Sequence, residues 1–128
     1  MTRVSFRVER ETIGEAEVLR LYGDVDVVTT PVVVDAIGAA IRRGGVRVVL
    51  DCLGVEFMDS KMVEAIFTGA KHLRDVGGDM AVACANSEVL RTLQVLGVDA
   101  VVAIRPTVEE ALGSFGVPPL PGPESAGL

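Results

Sequence analysis

Val46-Arg47-Val48-Val49-Leu50-Asp51-Cys52-Leu53-Gly54-Val55-Glu56-Phe57-Met58-Asp59-Ser60 is the stretch on which the fold turns. A strand with one wet face alternates apolar and polar residues, whereas one covered on both faces reads as an almost unbroken apolar run. Val46 to Leu50 is such a run, short and interrupted by a single arginine. It predicts a central strand with Asp51 at its carboxyl end and a loop beyond. Asp59-Ser60 then opens a helix, because short oxygen-bearing side chains satisfy the free amides of a first turn. Val63, Ile66, Phe67, Ala70 and Leu73 follow at helical spacing as its buried stripe, and Gly77-Gly78 stops it.

The pattern repeats on the carboxyl side. Met80 to Cys84 reads as a strand. Asn86-Ser87 starts a helix with Leu90, Leu93 and Leu96 on its apolar side, closed by Gly97. Ala100 to Ile104 reads as a last strand, and Thr107-Val108-Glu109-Glu110 is a capping box for a helix through Phe115. On the amino side, Val4 to Arg10 and Glu17 to Tyr22 alternate around Gly14 and predict a β-hairpin, which the turn Gly23-Asp24-Val25-Asp26 ends. Thr29-Thr30-Pro31 begins a helix with Val33, Ala36, Ile37, Ala40 and Ile41 inward, Arg42 and Arg43 at its negative end and Gly44 beyond. Val32-Val33-Val34 alone would suggest a strand, but the cap and the spacing outweigh it. The order β-β-α-β-α-β-α-β-α predicts an α/β domain, with a mixed, mainly parallel sheet, an N-terminal hairpin and about four helices. Val48, Val49, Leu50, Ile66, Phe67, Leu73, Val82 and Leu93 are the expected core. The domain is expected to occupy residues 1–116. Residues 117–128, with Pro118, Pro119, Pro121 and Pro123, are expected to be a flexible tail.

The chain has 128 residues, 49% of them hydrophobic, which suits one domain with a substantial core. The net charge of −6, with no basic cluster larger than Arg42-Arg43, argues against nucleic acid and anionic membranes as partners. No apolar run approaches the ~20 residues of a membrane span, and the first ten residues lack a signal-peptide core. A cytoplasmic location is therefore expected. Cys52 and Cys84 each end an apolar run and read as buried, reduced thiols. His72 is the one histidine, so a histidine-rich metal site is excluded. No cofactor is implied, and the sequence carries no signal for an oligomeric state.

The order of elements over Val4 to Phe115 resembles the STAS domain, in particular the bacterial anti-sigma-factor antagonists. Gly23-Asp24-Val25-Asp26 resembles that family's Gly-Glu-Leu-Asp turn. Val48-Val49-Leu50-Asp51 followed by Val55-Glu56-Phe57-Met58-Asp59-Ser60 resembles its signature strand and switch loop. The resemblance implies a binding protein that captures an anti-sigma factor, frees a sigma factor, and is released when a serine kinase phosphorylates the loop serine, here Ser60. Asp24, Asp26, Met58, Asp59, Ser60, Lys61 and Met62 are the implied partner-binding residues. Where the family continues Asp-Ser with a small residue and then glycine, this chain has Lys61 and Met62. Met62 has two possible roles, an exposed adaptable contact or a filler of the core.

Other readings compete. Ser60 is also a helix-cap residue type, and Asp24 and Asp26 are ordinary turn residues. Asp51 at a strand's carboxyl end resembles the phospho-acceptor of a response-regulator receiver. Such a site needs an acidic pair after the first strand to hold Mg²⁺, and Glu9-Arg10-Glu11 imitates that pair poorly. A catalytic site is not expected, because Asp26, Asp51, Asp59 and Lys61 supply no oriented base for Ser60. The alternative function is an unphosphorylated STAS scaffold, or an accessory subunit of a transporter or signalling complex.

Overall fold

The computed structural model describes residues 6–115, so the expected tail at 117–128 lies outside the described residues. Five strands lie in the order β1-β2-β3-β4-β5: β1 Arg7–Ile13, β2 Ala16–Val25, β3 Arg47–Met58, β4 Asp79–Ala83 and β5 Ala103–Arg105. β1 and β2 are the antiparallel hairpin, and every later neighbour pairs in parallel. The hairpin turns at Gly14, whose φ of +59° suits a residue without a Cβ. The helices are α1 Thr30–Arg42, α2 Ser60–Asp75, α3 Ser87–Val95 and α4 Val108–Gly113.

Alternation along the strands sends successive side chains to opposite faces. Leu19, Leu21, Val48, Leu50 and Val82 meet α1, α2 and α3 in the larger core cluster. Val18, Val49, Ala81 and Ala83 meet α4 through Ala111 on the other face. Covering on both faces is why the Val48-Val49-Leu50 run is continuous, and all three residues are fully buried.

β1 runs past Arg10 to Ile13, β2 includes Gly23-Asp24-Val25 of the expected turn, and α4 ends at Gly113 rather than Phe115. Four further differences from the expectation each have a physical reason. First, β3 does not stop at Asp51 but runs on to Met58. Its register against β2 slips twice, between the pairs Arg20↔Asp51 and Tyr22↔Gly54 and again between Gly23↔Val55 and Asp24↔Phe57. Each slip inserts an extra residue on β3, a β-bulge. Asp51 is a buried mid-strand residue. It accepts a hydrogen bond from Leu53 N at 2.9 Å across the first bulge and pairs with Arg20 at 3.4 Å. Second, the last strand begins at Ala103, not Ala100. The amides of Ala100, Val101 and Val102 bond back to Gly97 O and Val98 O in a tight turn and cannot join a ladder. Third, α3 buries Val89 with Leu93, while Leu96 falls beyond the helix and is exposed.

Fourth, Phe67 is only partly buried. The inward stripe of α2 is Met62, Val63, Ile66, Gly69, Ala70 and Leu73, and Phe67 lies at its edge. Phe67→Ala should therefore cost about 1–2 kcal/mol rather than the ~3–5 kcal/mol of a core aromatic, and less than Ile66→Ala, which should cost about 2–5 kcal/mol. Urea denaturation of the two variants checks the order.

One buried ion pair was not legible in the sequence. Glu17, at the amino end of β2, is buried and takes the guanidinium of Arg43 through Nε at 2.9 Å and Nη2 at 2.8 Å. It locks the end of α1 onto the sheet at the pole opposite Ser60.

Candidate functional site

The carboxyl ends of β2 and β3 carry the turns into α1 and α2, and one hydrogen bond holds the two turns together. Asp59 N donates to Val25 O at 3.1 Å. Asp59 is the cap of α2. Its extended backbone (φ −98°, ψ 177°) brings Oδ1 to accept from Lys61 N at 2.9 Å and Met62 N at 3.3 Å. Ser60 is the first helical residue and is exposed. The capping duty that a serine could have had is thus taken by its neighbour.

The β2–α1 turn has a different internal design. Thr29 precedes α1 but makes no side-chain cap. Its Oγ1 accepts from Asp26 N at 2.9 Å and donates to Asp24 O at 2.9 Å, while Asp26 Oδ1 accepts from Val28 N at 2.9 Å and Thr29 N at 3.0 Å. Asp26 therefore shapes the turn, as short acidic side chains do. Asp24 lies on β2 opposite Phe57. The structure thus brings Asp24, Asp26, Asp59, Ser60 and Lys61 to one end of the sheet. Lys61 is exposed and pairs with Glu64 at 3.4 Å.

Met58 and Met62 are corrected by the structure as surface residues. Met58 points into the core beyond the second bulge, and Met62, on the inward stripe of α2, has no exposed area. Of the two roles open to Met62, it fills the core. Lys61→Ser with Met62→Gly, the family-like pair, should therefore lower stability by about 3–5 kcal/mol through the cavity and the added backbone freedom. Thermal denaturation followed by circular dichroism checks this, with Lys61→Ser alone expected to melt like the parent.

Three exposed apolar residues at this end were missed. Val27, Val28 and Phe57 are 61%, 76% and 51% exposed. The available signal was Val27-Val28 itself, an apolar pair lying between a turn and a helix start, outside any periodic stripe.

Burial pushes the Cys52 and Cys84 thiols up, away from the reactive thiolate. Among the described residues no three His, Cys, Asp or Glu side chains gather as a metal site, and no helix is long and apolar enough to cross a membrane.

A family model for the STAS domain matches residues 7–111. The chain belongs to the STAS domain family. This STAS domain is also similar to solved structures. An anti-sigma factor antagonist from Mycobacterium paratuberculosis is 24% identical, with a TM-score of 0.80 over 86% of this chain and 93% of that one. The anti-sigma factor antagonist SpoIIAA in its unphosphorylated form is 23% identical, with a TM-score of 0.71 over 83% and 93% of the two chains. The Bacillus cell fate determinant SpoIIAA in its phosphorylated form is 24% identical, with a TM-score of 0.64 over 85% and 97%. At these identities the likeness is one of fold: the STAS sheet of one antiparallel and three parallel pairings.

Proposed function

We propose that this STAS domain is an anti-sigma factor antagonist. It captures an anti-sigma factor through the end of the sheet where β2 and β3 finish, and a serine kinase ends the capture by phosphorylating Ser60. It works by binding rather than catalysis, in the cytoplasm.

The observation that carries the reading is the division of labour at the start of α2. Asp59 holds the helix amides, and Ser60 stands exposed beside it. A phosphate brings about −1.5 to −2 charges, and a helix N-terminus accommodates negative charge. The fold therefore persists on modification, and the effect is directed outward to whatever is docked there. The likeness of this chain to SpoIIAA in both its unphosphorylated and phosphorylated forms supports a switch that keeps the fold.

The test is calorimetric titration of the protein with each purified anti-sigma factor of the source organism, before and after treatment with its serine kinases, with phosphopeptide mapping of the product. One phosphate at Ser60 and loss of the complex are expected. Phosphate elsewhere with the complex intact would overturn the switch. Lys61 and the buried Met62, standing where the family has a small residue and glycine, favour a second reading: an unphosphorylated scaffold or accessory subunit. That reading takes over if Ser60 is never modified.

A further inference from the structure

Six of the exposed large apolar residues gather at the two poles of the sheet, the others being Val32 and Val34 on α1 and Leu53 within β3. The helices return antiparallel to the strands, so Val76, Val95 and Leu96, at or beyond the carboxyl ends of α2 and α3, lie at the pole away from Ser60. Val27 and Phe57 lie at the Ser60 pole, each two residues from the Val25–Asp59 hydrogen bond, and Val28 follows Val27. Phe57 is there because of the second bulge. In an unbroken strand Val55 and Phe57 would share a face. The extra residue between the pairs Gly23↔Val55 and Asp24↔Phe57 leaves Val55 in the core at 1% exposure and turns Phe57 outward at 51%. Bulges that re-aim a side chain occur beside functional sites, and an outward aromatic forgoes burial that the inward register would have given.

We propose that Val27, Val28 and Phe57 are the anchor of the anti-sigma factor interface, seated in an apolar socket whose rim is basic. This rests on the function proposed above and assigns the contact residues within it. The basic rim follows from charge. Glu56 is an exposed carboxylate and Asp59 a half-buried one beside the anchor, Lys61 is paired with Glu64, and the chain as a whole carries a net charge of −6. A second copy of this chain would set the same acidic rim against itself, and an anionic bilayer would be repelled. A partner of opposite charge is the complement. Aromatic side chains supply interface anchors, and acidic rim charges speed the encounter with a basic surface. Ser60 lies in this rim, so its phosphate would enter the desolvated ring around the anchor.

The experiment uses the full chain and each purified anti-sigma factor of the source organism, read by calorimetry, with thermal melts confirming that every variant is folded. Phe57→Ala and Val28→Asp should each raise Kd by at least about tenfold, the size of an anchor truncation. Phe57→Leu should restore most of the affinity, and Val95→Asp, an equally surface-directed change at the far pole, should leave Kd unaltered. If Ser60→Asp weakens the complex while Phe57→Ala and Val28→Asp leave Kd within about twofold, well under one anchor, the anchor is overturned and the proposed function stands. If the unaltered protein binds no anti-sigma factor, both fall together. A dimer in sedimentation velocity that Val28→Asp dissolves would identify a second copy as the occupant and overturn the partner named here.

Discussion

Ser60→Asp is expected to weaken the complex with the anti-sigma factor by about a hundredfold, which is ~2.7 kcal/mol. The loss comes from the partner side. A carboxylate at position 60 brings bulk and a hydration shell into a surface packed against the partner, and stripping that shell costs several kcal/mol, more than basic groups at the rim return. The folded domain itself has little reason to object. An aspartate in the first turn of α2 meets the positive end of the helix dipole, worth about 0.3–1 kcal/mol, and the adjacent Asp59 carboxylate offsets part of that. Ser60→Ala separates the two effects. Because Asp59 is the cap, alanine at position 60 should change stability by no more than ~0.5 kcal/mol, as at other undemanding surface sites. It should bind as the parent does and accept no phosphate. Titration calorimetry of parent, Ser60→Asp and Ser60→Ala decides the matter. Equal affinities for all three would leave Asp59-Ser60 as a helix start only.

Gly78→Ala is expected to destabilise this domain strongly, although it adds only one methyl. A Cβ at position 78 would stand 1.8 Å from Val46 O and 2.6 Å from Val46 C. These are backbone atoms, and Val46 O is also the acceptor for Asp79 N at 2.9 Å, the bond that begins the β3–β4 ladder. The clash can be relieved only by moving β4 from the central strand. Overpacking of side chains typically costs about 1–3 kcal/mol, and a collision with fixed backbone belongs at or above that limit. A fall in melting temperature of roughly 10 °C or more is expected for a domain of this size. Gly113→Ala is the control. Nothing lies within 4 Å of its added methyl, so loss of unfolded-chain freedom should raise stability by up to about 1 kcal/mol. A Gly78→Ala protein that melts with the parent would show that the turn into β4 is looser than this geometry.

The element types were legible because each rests on a period repeated over several residues. The continuous Val48-Val49-Leu50 run could belong only to a strand covered on both sides, and the apolar spacing of α1 and α2 survived one contrary signal, the valine triplet at 32–34. What failed to read out depends on contacts between segments. Bulges are defined by the partner strand, so neither the extension of β3 to Met58 nor the outward turn of Phe57 has a signature in residues 51–58 alone. Helical phase sets which of Ile66 and Phe67 is deepest, and a shift of one position puts the aromatic at the edge of the stripe. The same ambiguity left Met62 undecided between surface and core. At the site, the resemblance implied a partner-binding group that includes Asp24, Asp26, Asp59, Ser60 and Lys61, and the fold brings these five to one end of the sheet. It could not say which member of Asp59-Ser60 is the cap, because both residue types serve and only the backbone angles choose.

The strand order, which follows the chain from first to last, has a kinetic consequence. Each strand finds its partner in the strand made immediately before it, so every sheet pairing closes a loop no longer than one connecting helix and its turns. Folding slows as contacts span more of the chain, and here that span is kept short throughout. The hairpin can form as soon as it leaves the ribosome, and each later strand–helix unit can add to a finished edge. The order of synthesis is thus a workable order of assembly.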